Sequence, residues 1–178
     1  MPNDPAPIRL NLELIDQAKG VVSAFGTRYA TPPSPGESAA GTHFRHVVDH
    51  YRALLSGLAS GRVDYYARAR DPVLENDPEA MEEALSALES EIEALTGRVD
   101  EAIHVDTGGP DRGDGDAGWA PSSVRRELAF VLSHTLHHLA TIAAIARTLD
   151  VALEGPVGMA HSTLVRQSAQ GAPVGPED

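Results

Sequence analysis

Gly41-Thr42-His43-Phe44-Arg45-His46-Val47-Val48-Asp49-His50 and Leu132-Ser133-His134-Thr135-Leu136-His137-His138-Leu139 decide the fold, and together they hold six of the eight histidines in the chain. In both stretches apolar residues and histidines recur every three or four positions, the spacing of a helix face rather than of a strand. At about 100° per residue, His43, His46 and His50 fall within an arc of roughly 60°. With Glu127 taken as zero, Val131, His134, His138 and Ile145 lie within roughly 40° of one line, and His137 is displaced by about 80°. Two helices therefore carry imidazoles on their inner faces.

Proline and glycine mark out the segments on either side. A first helix is expected from about Ile8 to Thr27, with Leu10, Leu14, Ile15, Ala18, Val21, Val22 and Phe25 at helical spacing, ending before Thr31-Pro32-Pro33-Ser34-Pro35-Gly36. The second begins near Ser38 and ends about Gly61, with His43, His46, Val47, His50, Leu54 and Leu58 on one stripe. A third opens at Asp77-Pro78, an N-cap followed by proline in the first turn, and buries Met81, Leu85, Leu88, Ile92 and Leu95. The fourth runs from Pro121-Ser122-Ser123 to about Leu149 and is apolar on nearly every side, which predicts the most buried element. Four long helices without a strand signal predict an all-α antiparallel four-helix bundle, a single domain over residues 1–178 with an irregular tail from about residue 155.

Composition narrows the chemistry. A chain of 178 residues can bury a core without cross-links. It has no cysteine, which excludes disulfides, thiolate metal sites and cysteine nucleophiles. A net charge of −12 with a single lysine argues against nucleic acid as a partner. No apolar run reaches the roughly 20 residues of a membrane span, and the opening Met1 to Pro7 is not a signal peptide, so the expectation is a soluble, cytoplasmic protein without a membrane partner. The run Asp111, Asp114, Asp116 among glycines suggests calcium, but an EF-hand loop ends in glutamate at its twelfth position, where counting from Asp111 gives Ser122. A solvated linker is the simpler reading.

Several neutral imidazoles buried together need a shared partner, and a divalent cation is one that serves them all. His134 and His138, one turn apart, can share one ion. On the second helix His46 is the central member of its stripe and the expected third ligand, with His50 in reserve. A di-iron carboxylate bundle needs repeated Glu-x-x-His pairs on its helices and zincin chemistry needs His-Glu-x-x-His; the chain has neither. Three imidazoles with an open position remain, the arrangement that activates water or binds an exchangeable thiolate. Glu127, two turns below His134 on the same stripe, is either a supporting carboxylate or general base, or an acid stabilised by its helix dipole.

The stretches Thr42 to His50 and Ser133 to Leu139 resemble the two signatures of the DinB/YfiT-like superfamily, in which a histidine of the second helix joins a His-x-x-x-His pair on the last long helix. The loop Tyr65-Tyr66-Ala67-Arg68-Ala69-Arg70-Asp71 and the tail Gly155 to Leu164 also resemble one bacterial branch of it. The resemblance implies a four-helix bundle, often dimeric, with His46, His134 and His138 holding one divalent metal, commonly zinc or nickel. It also implies transfer or isomerisation chemistry that uses a low-molecular-weight thiol such as bacillithiol, mycothiol or glutathione. The added His43, His50 and His137 depart from that pattern, and a fourth imidazole would close the site.

The expectation that follows is a metal-dependent enzyme, a thiol-dependent S-transferase or a related addition or isomerisation, acting on a small-molecule thiol and an electrophile. Arg68 and Arg70 would anchor a carboxylate of the thiol cofactor, or are solvated loop cations. A metal-dependent hydrolase with Glu127 or His50 as proton acceptor is one alternative. A non-catalytic metal-binding or stress-related interaction module is the other. The apolar fourth helix suits a homodimer interface as well as the centre of a bundle.

Overall fold

The computed structural model describes residues 5–108 and 118–159. The helices are α1 (Ala6–Phe25), α2 (Ala40–Gly57), the short α3 (Pro72–Asn76), α4 (Pro78–Glu93) and α5 (Val124–Thr148), with one 3₁₀ turn at Gly26–Arg28. The four long ones are those the periodicity predicts: α1 packs on α4 and α5, and α2 packs on α5 and α4. Their apolar stripes meet in one core that includes Ile15, Phe44, Leu54, Leu85, Leu128 and Leu139. Asp77 caps α4 by accepting from the backbone N–H groups of Glu79 and Ala80.

The expected absence of strands is corrected. A small sheet of order β1-β2-β3 is formed by β1 (Arg62–Val63), β2 (Ala102–Asp106) and β3 (Trp119–Ser123), with β1 parallel and β3 antiparallel to β2. β1 is too short to show any period. β3 contains Pro121, which cannot donate to a ladder and is tolerated here because the strand lies at the edge of the sheet. β2 does alternate, Ile103 and Val105 against His104 and Asp106, but over only five residues. The single Glu-x-x-His spacing in the chain, Glu101 to His104, thus falls on this strand and not on a helix.

Two expectations about the last helix also change. It opens at Val124 rather than Pro121, because residues to Ser123 are extended in β3 and the Ser123 hydroxyl then caps the helix by accepting from the Arg126 N–H. It is not buried all round: Leu132 and Leu136 are half-buried, and Phe130 is 37% exposed. By length and composition α5 is also long and apolar enough to cross a membrane. In this fold its core face is packed on α1 and α2 instead. Asp111, Asp114 and Asp116, and the tail from Ala160 on, lie outside the described residues.

One polar side chain in the core is fully matched and ties three helices together. Asn11, not Leu10, takes the buried position on α1; its amide donates to the carbonyls of Pro7 (2.7 Å) and Leu128 (3.1 Å) and accepts from the Tyr51 hydroxyl (2.7 Å). That one side chain joins α1, α2 and α5. At the start of α2, Gly41 lies against α3 so closely that a Cβ would collide with the Glu75 carbonyl and the Tyr29 ring. Gly41→Ala is therefore expected to cost about 1–3 kcal/mol by overpacking, lowering Tm by about 2–10 °C in a calorimetric or circular-dichroism melt.

Candidate metal centre

The α2 and α5 stripes face each other in antiparallel sense. His43 lies beside His138, with ring centroids 5.3 Å apart, and His50 beside His134, at 4.0 Å. Between them His46 is 5.0 Å from His134 and 4.7 Å from His138, and the last two are 4.6 Å apart. One nitrogen from each of His46, His134 and His138 lies within 4.8 Å of the other two. Donors about 2.0–2.1 Å from a tetrahedral zinc stand about 3.4 Å apart, so the trio would need only modest side-chain rotation to hold one ion. His134 Nε2 is buried and has no hydrogen-bond partner, a deficit that a metal would fill.

The electrostatics suit metal ligation. Burial first, then the neighbouring histidines and Arg68, push His46 down to about 3. The same influences push His134 down to about 4. Burial and the surrounding histidines bring His138 to about 3. All three are neutral near pH 7, the form in which an imidazole offers a lone pair.

The other histidines occupy distinct places. His43 Nδ1 and His138 Nδ1 are 3.1 Å apart, so one ring donates to the other. His50 is buried, and its Nδ1 donates to the His46 carbonyl at 2.8 Å, which leaves Nε2 as an acceptor. His137, which helical angles displaced from the stripe, is exposed.

A cavity of about 410 Å³ adjoins the cluster, lined by His50, Tyr65, Arg68, Arg126, Glu127 and Phe130 among others. Glu127 is fully buried and accepts from the Tyr65 hydroxyl (2.9 Å), the Ser122 hydroxyl (2.5 Å) and Arg126 Nη1 (2.6 Å). Burial and this carboxylate raise the Tyr65 phenol well above its ordinary range. Tyr65 stacks on His50 at 5.6 Å, so carboxylate, phenol and imidazole form a continuous wall. The two loop arginines are separated: Arg68 Nη1 donates to His46 Nδ1 at 2.9 Å, whereas Arg70 is exposed, has a positive φ of 53° and is not among the lining residues.

Sequence reasoning missed Tyr65 and Ser122 as partners of Glu127. It also missed the buried Asp49, which accepts from Arg45 Nη1 at 2.7 Å while Arg45 bonds Glu75 of α3. The Arg45-to-Asp49 spacing of four on a helix was the available signal for that pair. The family description "DinB superfamily" matches residues 26–142, from the end of α1 through most of α5. The chain belongs to the DinB superfamily. No curated protein and no solved structure matches it. The matched span of this DinB-like chain includes all three clustered histidines.

Because folding holds His46, His134 and His138 far below the ordinary histidine value of 6.5, the unfolded chain binds protons that the folded chain refuses between pH 6.5 and about 3–4. The stability tied to these neutral rings is complete above pH 6.5 and is lost as pH falls toward the folded values. The urea midpoint of the metal-free protein should fall between pH 7.5 and pH 5, and fall less in a His46→Gln/His138→Gln double variant. Equal pH dependence in the two proteins would contradict this account.

Proposed function

We propose that this DinB-like chain is a metal-dependent enzyme whose divalent cation, zinc or nickel, is held by His46, His134 and His138. The observation that carries the proposal is the trio itself: three neutral imidazoles with donor atoms within 4.8 Å, one bearing a buried, unpartnered nitrogen. Imidazole donors without thiolate suit zinc and nickel alike. Bound here, the cation would lower the pKa of a thiol or water and supply a nucleophile at neutral pH.

The proposed reaction is transfer or addition of a low-molecular-weight thiol to an electrophile, with a related isomerisation in the same class. The adjoining cavity has the volume of a small-molecule site. Tyr65 and Phe130, 5.0 Å apart, would hold an apolar part of the substrate. Arg68 would meet an anionic group of the thiol, and exposed Arg70 would assist only at the rim. His50 Nε2, left as an acceptor by the bond that Nδ1 makes, would take the proton. Glu127 would act from the far wall through Tyr65. The same acceptors favour a hydrolase as the second version of the enzyme.

A specific observation also favours a non-catalytic metal-binding module: His50 lies 4.4 Å from His46 and 4.0 Å from His134, near enough to supply a fourth ligand. A closed site would be structural. We assign the protein to the cytoplasm. The half-buried Leu132 and Leu136 of α5 support a homodimer.

Metal analysis of purified protein should find about one equivalent per chain, and the content should fall about tenfold or more in His46→Ala and in His134→Ala. Equally low metal in all three proteins would remove the site. With metal loaded, incubation with an aryl halide electrophile and bacillithiol, mycothiol or glutathione should give conjugation that His50→Gln slows by about a hundredfold. No rate above the metal-free background with any thiol would remove the transferase version and leave the metal site standing.

A further inference from the structure

Arg68 comes from the loop that follows β1 and ends against the histidine cluster, where Nη1 donates to His46 Nδ1 at 2.9 Å. Its Nε is buried without a partner. Among the described residues Arg68 takes part in no ion pair. Its guanidinium thus rests among neutral imidazoles with one hydrogen bond to the described residues, and the atom it bonds belongs to one of the three clustered rings.

The chemistry of a neutral imidazole makes this contact incompatible with metal binding by His46. The ring has one N–H and one lone pair, and a guanidinium can only donate. While Nδ1 accepts from Arg68, the ring proton is on Nε2 and no lone pair is left for an ion. Ligation through Nδ1 would use the pair that Arg68 occupies. Ligation through Nε2 would require the proton to move to Nδ1, where it would face an Arg68 N–H donor to donor. Either way the bond to Arg68 must break. A positive guanidinium this close would also repel a divalent cation, and the low local dielectric strengthens that repulsion.

The loop that carries Arg68 is held at its two ends. The loop is fixed at its start by the Asp64 carboxylate, which accepts from the backbone N–H groups of Tyr66 (2.7 Å) and Ala67 (3.2 Å). At its end it is fixed by Asp71, which caps α3 by accepting from the Val73 N–H. Between these anchors the Arg68 N–H donates to the Tyr66 carbonyl (3.1 Å) and Ala69 and Arg70 are exposed, so the Arg68 side chain can swing from the cluster while the loop backbone keeps its bonds.

We propose that Arg68 competes with the metal for His46: it holds the ring in the Nε2–H tautomer when no metal is bound, and metal binding ejects it into the adjoining cavity. The inference rests on the metal site proposed above and adds an internal cation that weakens it. Arg68 thus sets the affinity threshold of the site, and loading delivers a free guanidinium to the cavity where a substrate would sit.

The test measures the affinity of full-length protein for Zn²⁺ and Co²⁺ by competition with a chromogenic chelator, for wild type, Arg68→Met and Arg68→Ala. Met keeps the apolar stem and removes the donors, which guards against a loss of packing in the alanine variant. Both variants should bind each metal about tenfold to a hundredfold more tightly than wild type, the factor expected for loss of a charge-assisted competitor. Nitrogen-15 shifts of the His46 ring in metal-free protein should report the Nε2–H tautomer in wild type and lose that preference in Arg68→Met. Affinity in the variants equal to or weaker than wild type overturns the proposal, because a supporting or indifferent Arg68 would give that result. If wild type and both variants alike bind no metal, the metal centre falls and this inference falls with it.

Discussion

Antiparallel packing of α2 on α5 in one fixed register is the constraint on which the cluster depends. A helix rises about 1.5 Å per residue, so a slip of one turn would carry His46 about 5.4 Å along α5 and away from the His134 and His138 pair. Apolar contacts alone are forgiving of such slips, since leucine and valine surfaces repeat. The buried Asn11 is not: it must meet the Leu128 carbonyl of α5 and the Tyr51 hydroxyl of α2 at once, and a shift of either helix would leave a polar group unpaired in the core. Tyr51 follows His50 directly in the chain, so the bond that fixes the register acts one residue from the histidines it serves.

The site divides burial of polar groups between two solutions. At the bundle end, imidazoles become buried by staying neutral, and their neighbours reinforce this by penalising any ring that takes a proton. At the sheet end, Glu127 is fully buried and offsets its desolvation with three donors drawn from a loop, a strand and its own helix. The wall between them is Tyr65, bonded to the carboxylate and stacked on His50. A ligand in the cavity would therefore meet the His50 imidazole on one side and a compensated carboxylate on the other.

What the sequence disclosed and what it hid follow from the range of the interactions. The helices and the inward placement of His46, His134 and His138 are set by three- and four-residue spacing, and prolines and glycines bound them, so local pattern suffices. The sheet was hidden because β1 has two residues and β3 places Pro121 where a helix start looked equally good. Glu127 could be singled out by its place on the stripe, but Tyr65 and Ser122 reach it through tertiary structure: Tyr65 lies 62 residues away and Ser122 sits on a strand that pattern reading had made helix. The Arg68 contact with His46 is of the same kind, a loop side chain crossing 22 positions to reach a helix face. The sequence offered Arg68 and Arg70 together without indicating which of them turned inward.

Whether five inward imidazoles amount to a metal site or to a hydrogen-bonded polar core can be argued atom by atom. A polar core would be complete in itself, with every ring nitrogen matched. His50 meets half of that demand by donating to the His46 carbonyl, and His43 and His138 partly satisfy each other. His46 is matched only by importing a guanidinium from a loop. His134 Nε2 is left with nothing, although it is buried at the centre of the cluster between His46, His50 and His138. Buried polar atoms without partners are rare because each costs about 1–3 kcal/mol. An uncompensated nitrogen where two helices bring three neutral imidazoles together favours the reading of a candidate ion site over that of a network closed on itself.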